Sequence, residues 1–229
     1  MQDAVEHALS QIAGEKLSVT CAGRTDRGVH ARAQVVHFDT RVQRPESAWV
    51  RGVNALLPDS VAVLWSRAVP DEFHARFSAF ARTYRYELLN RPVRPALASS
   101  QLGWFHLPLD VERMSEAAAL LVGEHDFSAF RSSECQAKSP VRRIHEFSVA
   151  RSGERIDFVV RANAFLHHMV RNLVGTLVYV GKGSFAPLHV REILLSRDRG
   201  QAAPTFAPEG LFLEKIEYEA KWQLPESPA

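Results

Sequence analysis

The sequence predicts an α+β protein in which helices alternate with pairs of mostly antiparallel strands. Three observations predict it. The segments QVVHFD and TYRYELLN alternate with the period of two expected of half-buried strands, and LFLEKIEY reads as a closing strand. The segments DAVEHALSQI and HHMVRNLVGTLVYV repeat their apolar residues at helical spacing. Two strand candidates flank a Ser-Gly pair at 152–153, a hairpin signal that a wound parallel sheet does not carry.

In chain order, a helix is expected over 3–12, stopped by Gly14, then a short strand over 17–21 and a second over 34–39. Pro45 opens a helix through Trp49 and Val53 that ends near Pro58. Residues 61–68 and 83–90 read as strands. Residues 91–101 (RPVRPALASSQ) carry two prolines and no periodicity, the expected internal boundary between halves 1–100 and 101–229. An amphipathic helix follows over 111–122, stopped by Gly123. The hairpin takes 143–149 and 155–162. Helices over 167–180 and 188–195 and a closing strand over 211–218 complete the chain. Each half has the content of a ferredoxin-like unit, and no low-complexity tract interrupts them.

With 229 residues the chain has room for one large domain or two small ones. No apolar run is long enough to cross a bilayer, and the N-terminus lacks a signal-peptide pattern. Cys21 and Cys135 lie far apart and form no CxxC, so a structural zinc site or disulfide framework is not expected. A reducing cytoplasm is the expected location. The net charge of +2 is unevenly spread. Residues 20–44 hold five Arg against two Asp, 131–143 hold four basic residues against Glu134, and 209–226 hold five Glu against two Lys. Such asymmetry suits one basic face for an anionic partner.

The most informative stretch is 20–38, TCAGRTDRGVHARAQVVHF. It sets Asp26 among Arg24, Arg27 and Arg32, between Gly23 and Gly28. An Asp in such a turn serves either as an Asx-turn former or as a reactive group. Flanking arginines favour its ionised form, which is a competent nucleophile or base, and glycines let backbone approach a ligand. His30, His167 and His168 are the histidines to test for a metal site. No HxxxH or HxH spacing is present, and adjacent histidines on a helix diverge, so no metal is expected. The loop also lacks the P-loop pattern and its lysine.

The stretch AGRTDRGVHARAQVVHF resembles the catalytic motif of the tRNA pseudouridine synthase A family. Three further segments resemble the family's motifs in the same order: LPDSVAVLWSRAVPDEFHARFSAFARTYRYELLN, GEHDFSAFRSSECQAKSPVRRI and ANAFLHHMVRNLVGTLVYVGKG. The resemblance implies the pseudouridine synthase fold, two ferredoxin-like halves with an active-site cleft between them. It implies isomerisation of uridine at positions 38 to 40 of the tRNA anticodon stem-loop, without metal or organic cofactor. Asp26 matches the essential Asp, acting as nucleophile or as the base that removes a sugar proton. Tyr84 matches a tyrosine packed on the target base, Arg171 the helix arginine that pairs with the Asp, and Arg24 an arginine that reaches the RNA. Phe73, His74, Ala75, Arg76 and Phe77, with Lys138, match segments that contact tRNA. His167 and His168 are expected to serve helix packing and a local hydrogen bond. A homodimer gripping one tRNA is also implied.

The family's N-terminal strand, with its YDG…GWQ-like motif, has no counterpart ahead of MQDAVEHAL; an upstream start and a genuine short form both account for this. Two rival functions remain to be weighed. A truncated, non-catalytic tRNA-binding relative would have no need of Asp26, Tyr84 and Arg171 together. A metal-dependent phosphoesterase would need clustered carboxylates and histidines.

Overall fold

The computed structural model describes residues 1–225. Glu226 of the acidic stretch and the end of the expected second half lie outside them. In chain order the elements are α1 (Gln2–Ala13), β1 (Thr20–Cys21), β2 (His30–Ala31), β3 (Val36–His37), a π-helical turn (Ala48–Gly52), β4 (Ala79–Asn90), β5 (Gly103–Phe105), α2 (Val111–Ala119), β6 (Gly123–Asp126), β7 (Val141–Ser152), β8 (Arg155–Ala162), α3 (Met169–Gly181), α4 (His189–Ser196) and β9 (Leu211–Tyr218). This is an α+β protein with mixed, mostly antiparallel sheets. Among the described residues no helix is long and apolar enough to cross a membrane.

The chain forms two compact units. Among the described residues, one holds 1–24, 34–80 and 217–225; the other holds 25–33 and 81–216. These units divide the chain differently from halves 1–100 and 101–229. The proline-bearing segment 91–101 lies inside the second unit, because β5, directly after it, pairs in parallel with β4, with Leu88 opposite Gly103.

In the first unit α1 ends at Gly14, as its sequence predicts. Ala8, Leu9 and Ala13 of α1 meet Leu17, Val19, Trp49 and Val53 in one apolar core. The strands are shorter than expected: β1 and β3 pair antiparallel over two residues each, Thr20 with His37 and Cys21 with Val36. The helix after Pro45 forms over 46–54 and is π-helical at its centre. The strand expected over 61–68 is absent. Its backbone is instead served by a side chain, since Asn54 accepts from the Val63 N–H at 2.7 Å and donates to the Val63 carbonyl at 2.8 Å. A local amide thus does what a neighbouring strand would have done.

The second unit is built on a seven-stranded sheet with the order β2-β9-β4-β8-β7-β6 and β5 on β4. Alternation dictates its buried face: Tyr84, Tyr86 and Leu88 on β4 and Ile156, Phe158 and Val160 on β8. On β7 a bulge between Ile144 and Glu146 resets the phase, so that Ile144, Phe147 and Val149 are all buried. Helix α2 starts at Asp110, whose carboxylate accepts from the Arg113 N–H, and packs on β7 and α3. Helix α3 is buried nearly all round, its few polar side chains, Arg171, Asn172 and Thr176, bonding within the protein.

Candidate active site

Asp26 lies in the second unit, in the turn that leads into β2. The turn is closed by the Val29 N–H donating to the Asp26 carbonyl at 3.0 Å. Gly28 holds a φ of +82°, and a Cβ there would press on Pro208 at 3.0 Å, so this position needs glycine on both counts. Strand β2 then pairs in parallel with β9, His30 opposite Phe212. Arg32 is committed elsewhere, to Glu87 at 2.7 Å and Glu214 at 3.0 Å.

The partners of the Asp26 carboxylate come from the start of α3, some 140 residues later in sequence. Arg171 Nη1 stands 3.5 Å from Oδ2. Its Nε donates to the Phe206 carbonyl at 2.8 Å, and the Phe206 N–H returns a bond to the Arg171 carbonyl at 3.2 Å. The segment holding Phe206 is itself pinned: Thr205 donates to the buried Asn172 Oδ1 at 2.7 Å, and Arg199 donates to the same atom at 3.1 Å. At Gly175 an added Cβ would overlap the Pro204 carbonyl oxygen, so glycine is what lets this segment lie against α3.

Two further groups reach the carboxylate. His167 Nε2 lies 3.2 Å from Oδ1 and His168 Nε2 lies 3.2 Å from Oδ2. The expectation that adjacent histidines diverge rested on both being helical, and that is corrected here. Helix α3 begins only at Met169; His168 is its N-cap with φ +61°, in the left-handed region. That backbone reversal swings the two rings onto one side, 4.0 Å apart between centroids. Asp26, His167 and His168 therefore offer ligand atoms all within 4.8 Å of one another, a set able to hold a metal ion. Burial holds His168 below the usual imidazole range against the opposing pull of Asp26, and the neighbouring His167 and Arg171 push it the same way. The sequence signal for these two residues was present but indirect: a polar pair standing immediately before an apolar helix.

Tyr84 lies on the buried face of β4, edge-on to Phe165 at 5.0 Å. Burial, and secondarily the charge of Asp26, push its phenol up to about 12, while Arg82 opposes them. It is thus a neutral hydroxyl at physiological pH. Arg24 is exposed and lies in the first unit, as does the FHARF segment. Within that segment Phe73 and Ala75 are buried. Phe73 packs on Tyr218 and Trp222, and the Ala75 carbonyl accepts from the Tyr218 hydroxyl at 2.7 Å. The outward members are His74, Arg76 and Phe77; Phe77 is 76% exposed, and its ring stacks on His74 at 4.2 Å. Lys138 is exposed in the second unit.

A carboxylate bracketed by one arginine and two imidazoles, with a buried phenol in the same unit, is an arrangement able to serve nucleophilic or general-base chemistry on an α+β scaffold. A model of the family described as tRNA pseudouridine synthase matches residues 1–78 and 117–219, and the chain belongs to this family. It is 55% identical over 225 residues to a tRNA pseudouridine synthase A of Methylobacillus flagellatus, covering 98% of this chain and 86% of the relative. It is 58% identical over 227 residues to the protein of the same name from Thiobacillus denitrificans, covering 99% and 87%. The corresponding Burkholderia thailandensis protein is 57% identical over 225 residues, covering 98% and 83%.

Proposed function

We propose that this chain isomerises uridine to pseudouridine in tRNA, acting at positions 38 to 40 of the anticodon arm with Asp26 as the reacting group. The observation that carries the reading is the Asp26 carboxylate held between Arg171, His167 and His168. A binding-only relative gains nothing from three donors converging on one acid.

The reaction breaks the bond from C1′ to N1, turns the uracil over, and joins C5 to C1′; the proton on C5 is then lost. Asp26 enters as the nucleophile or as the base that takes a sugar proton, and both routes require the charged form. Arg171 supplies a fixed positive charge, and its bond to Phe206 fixes where that charge stands. In this proposal Tyr84, whose phenol burial keeps neutral, packs on the base and donates or relays a proton. Extruding a nucleotide from a stacked arm costs a few kcal/mol. In this proposal Arg24, His74, Arg76, Phe77 and Lys138 offset that cost by holding phosphates and an unstacked base. A homodimer sharing one tRNA, and a cytoplasmic location, belong to the same proposal.

The test uses tRNA carrying tritium at uridine C5. Wild type is expected to release tritium, and Asp26→Ala to bind tRNA without release. Tritium release by the Ala variant at the wild-type rate would overturn the assignment of Asp26. No release by wild type bound to tRNA would overturn the function.

A further inference from the structure

We infer that Asp26, His167 and His168 form a capture site for a Zn²⁺-class divalent cation, and that occupancy of this site silences the chain by taking the carboxylate its chemistry requires. The second half of this statement rests on the proposed role of Asp26; the first does not.

The geometry carries the argument. Around a tetrahedral Zn²⁺ with bonds of about 2.0–2.1 Å, neighbouring donor atoms stand roughly 3.3 Å apart. His167 Nε2 stands 3.2 Å from Oδ1 and His168 Nε2 3.2 Å from Oδ2, and one donor atom from each of the three residues falls within 4.8 Å of the others. The donor set of two imidazoles and one carboxylate is that of open zinc sites, which leave further positions to water. All three side chains are reachable from solvent: Asp26 is 23%, His167 33% and His168 27% exposed.

The backbone holds the set in place before any ion arrives. The His167 carbonyl accepts from the Ser132 N–H at 3.0 Å, and the His168 carbonyl accepts from the Asn172 N–H at 2.9 Å. The left-handed φ of His168 turns the rings together at their origin. To bind the cation, each ring moves the proton it offers Asp26 from Nε2 to Nδ1, so both become acceptors. Arg171 opposes a second cation by charge, yet its shortest bond is to the Phe206 carbonyl, not to Asp26. It can stay as the outer donor on Oδ2 while the cation takes Oδ1, the arrangement that orients carboxylate ligands elsewhere.

The test titrates the full chain with Co²⁺, whose visible absorption reports a tetrahedral nitrogen and oxygen site, and then competes with Zn²⁺. His168→Asn is chosen because Asn tolerates a positive φ, and His167→Ala as the second variant; thermal melting in a chelator verifies that both fold. The expected result is one Co²⁺ per chain in wild type, displaced by Zn²⁺, with affinity reduced roughly tenfold or more in either variant, as for damage to a metal's ligand shells. Tritium release should fall with Zn²⁺ occupancy and return with chelator. Absence of the visible bands in wild type, or equal binding by the folded variants, overturns the site. Intense near-ultraviolet thiolate bands also overturn it, by assigning the ion to Cys21 or Cys135. Binding that behaves as expected while Asp26→Ala still releases tritium would sink the catalytic reading and leave the cation site standing.

Discussion

Gly175→Ala probes how α3 positions Arg171, by a change about one helical turn away from it. The added methyl would overlap the backbone carbonyl of Pro204, which cannot rotate away as a side chain can. Restoring ordinary contact of about 3.5 Å needs roughly 1 Å of movement by that segment. The segment is tied to α3 by the bonds at Thr205 and Phe206, so the shift is resisted and also transmitted. Overpacking of this kind costs about 1–3 kcal/mol. For a chain of this size that lowers Tm by roughly 2–4 °C per kcal/mol. The Phe206 carbonyl moves with the segment, carrying the Arg171 guanidinium off Asp26, and a misplacement of about 1 Å in a reacting constellation costs on the order of 10²-fold in rate. Calorimetric melting and tritium release at saturating tRNA measure the two effects, with KM little changed because no tRNA-facing residue is touched. A variant with wild-type Tm and wild-type kcat would show that the contact is not held in solution and refute the reasoning.

Arg171→Lys keeps the charge but loses the Nε donor to Phe206; kcat is expected to drop by about 10²-fold, and recovery of full kcat by Lys would show that charge alone suffices. Phe77→Ala should leave Tm unchanged, because the ring is 76% exposed, while tRNA binding weakens by about 1–3 kcal/mol, the usual worth of one base stacked on an aromatic; unaltered binding in a filter assay would remove Phe77 from the interface. The protonation of His168 gives a pH signature. Its folded value lies below the ordinary 6.5, so its contribution is whole above that pH and is lost as pH falls through the folded value. Wild type should therefore lose more Tm than His168→Asn between pH 7 and pH 5, and equal losses would contradict the burial argument.

Where a segment's own pattern settles its partners, the sequence was legible. LFLEKIEY becomes β9 over the expected residues, and the apolar-striped segment after HH becomes the buried α3. Asp26 and Arg171 were named as a pair from the motif resemblance and stand as an ion pair. What escaped depended on distant or backbone-level facts. Strand β2 is two residues long and exists only because β9, far along the chain, lies beside it. The strand expected at 61–68 does not form, and at Val63 one asparagine side chain bonds both backbone groups. The convergence of His167 and His168 depends on a single positive φ, which no spacing rule encodes.

The tie from Asp26 to α3 and Phe206 also has a history in time. A ribosome adds roughly 5–20 residues per second. Asp26 and Arg171 are separated by 145 positions, so the acid emerges roughly 7–30 s before its arginine, and Phe206 and the β9 strand beside β2 come later still. The nascent chain therefore carries the acid without its arginine for the 145 residues that separate them. The Arg171 guanidinium gains its Phe206 anchor only once residue 206 has been made, so a chain halted before that point carries the Asp26 turn without the carbonyl that fixes Arg171.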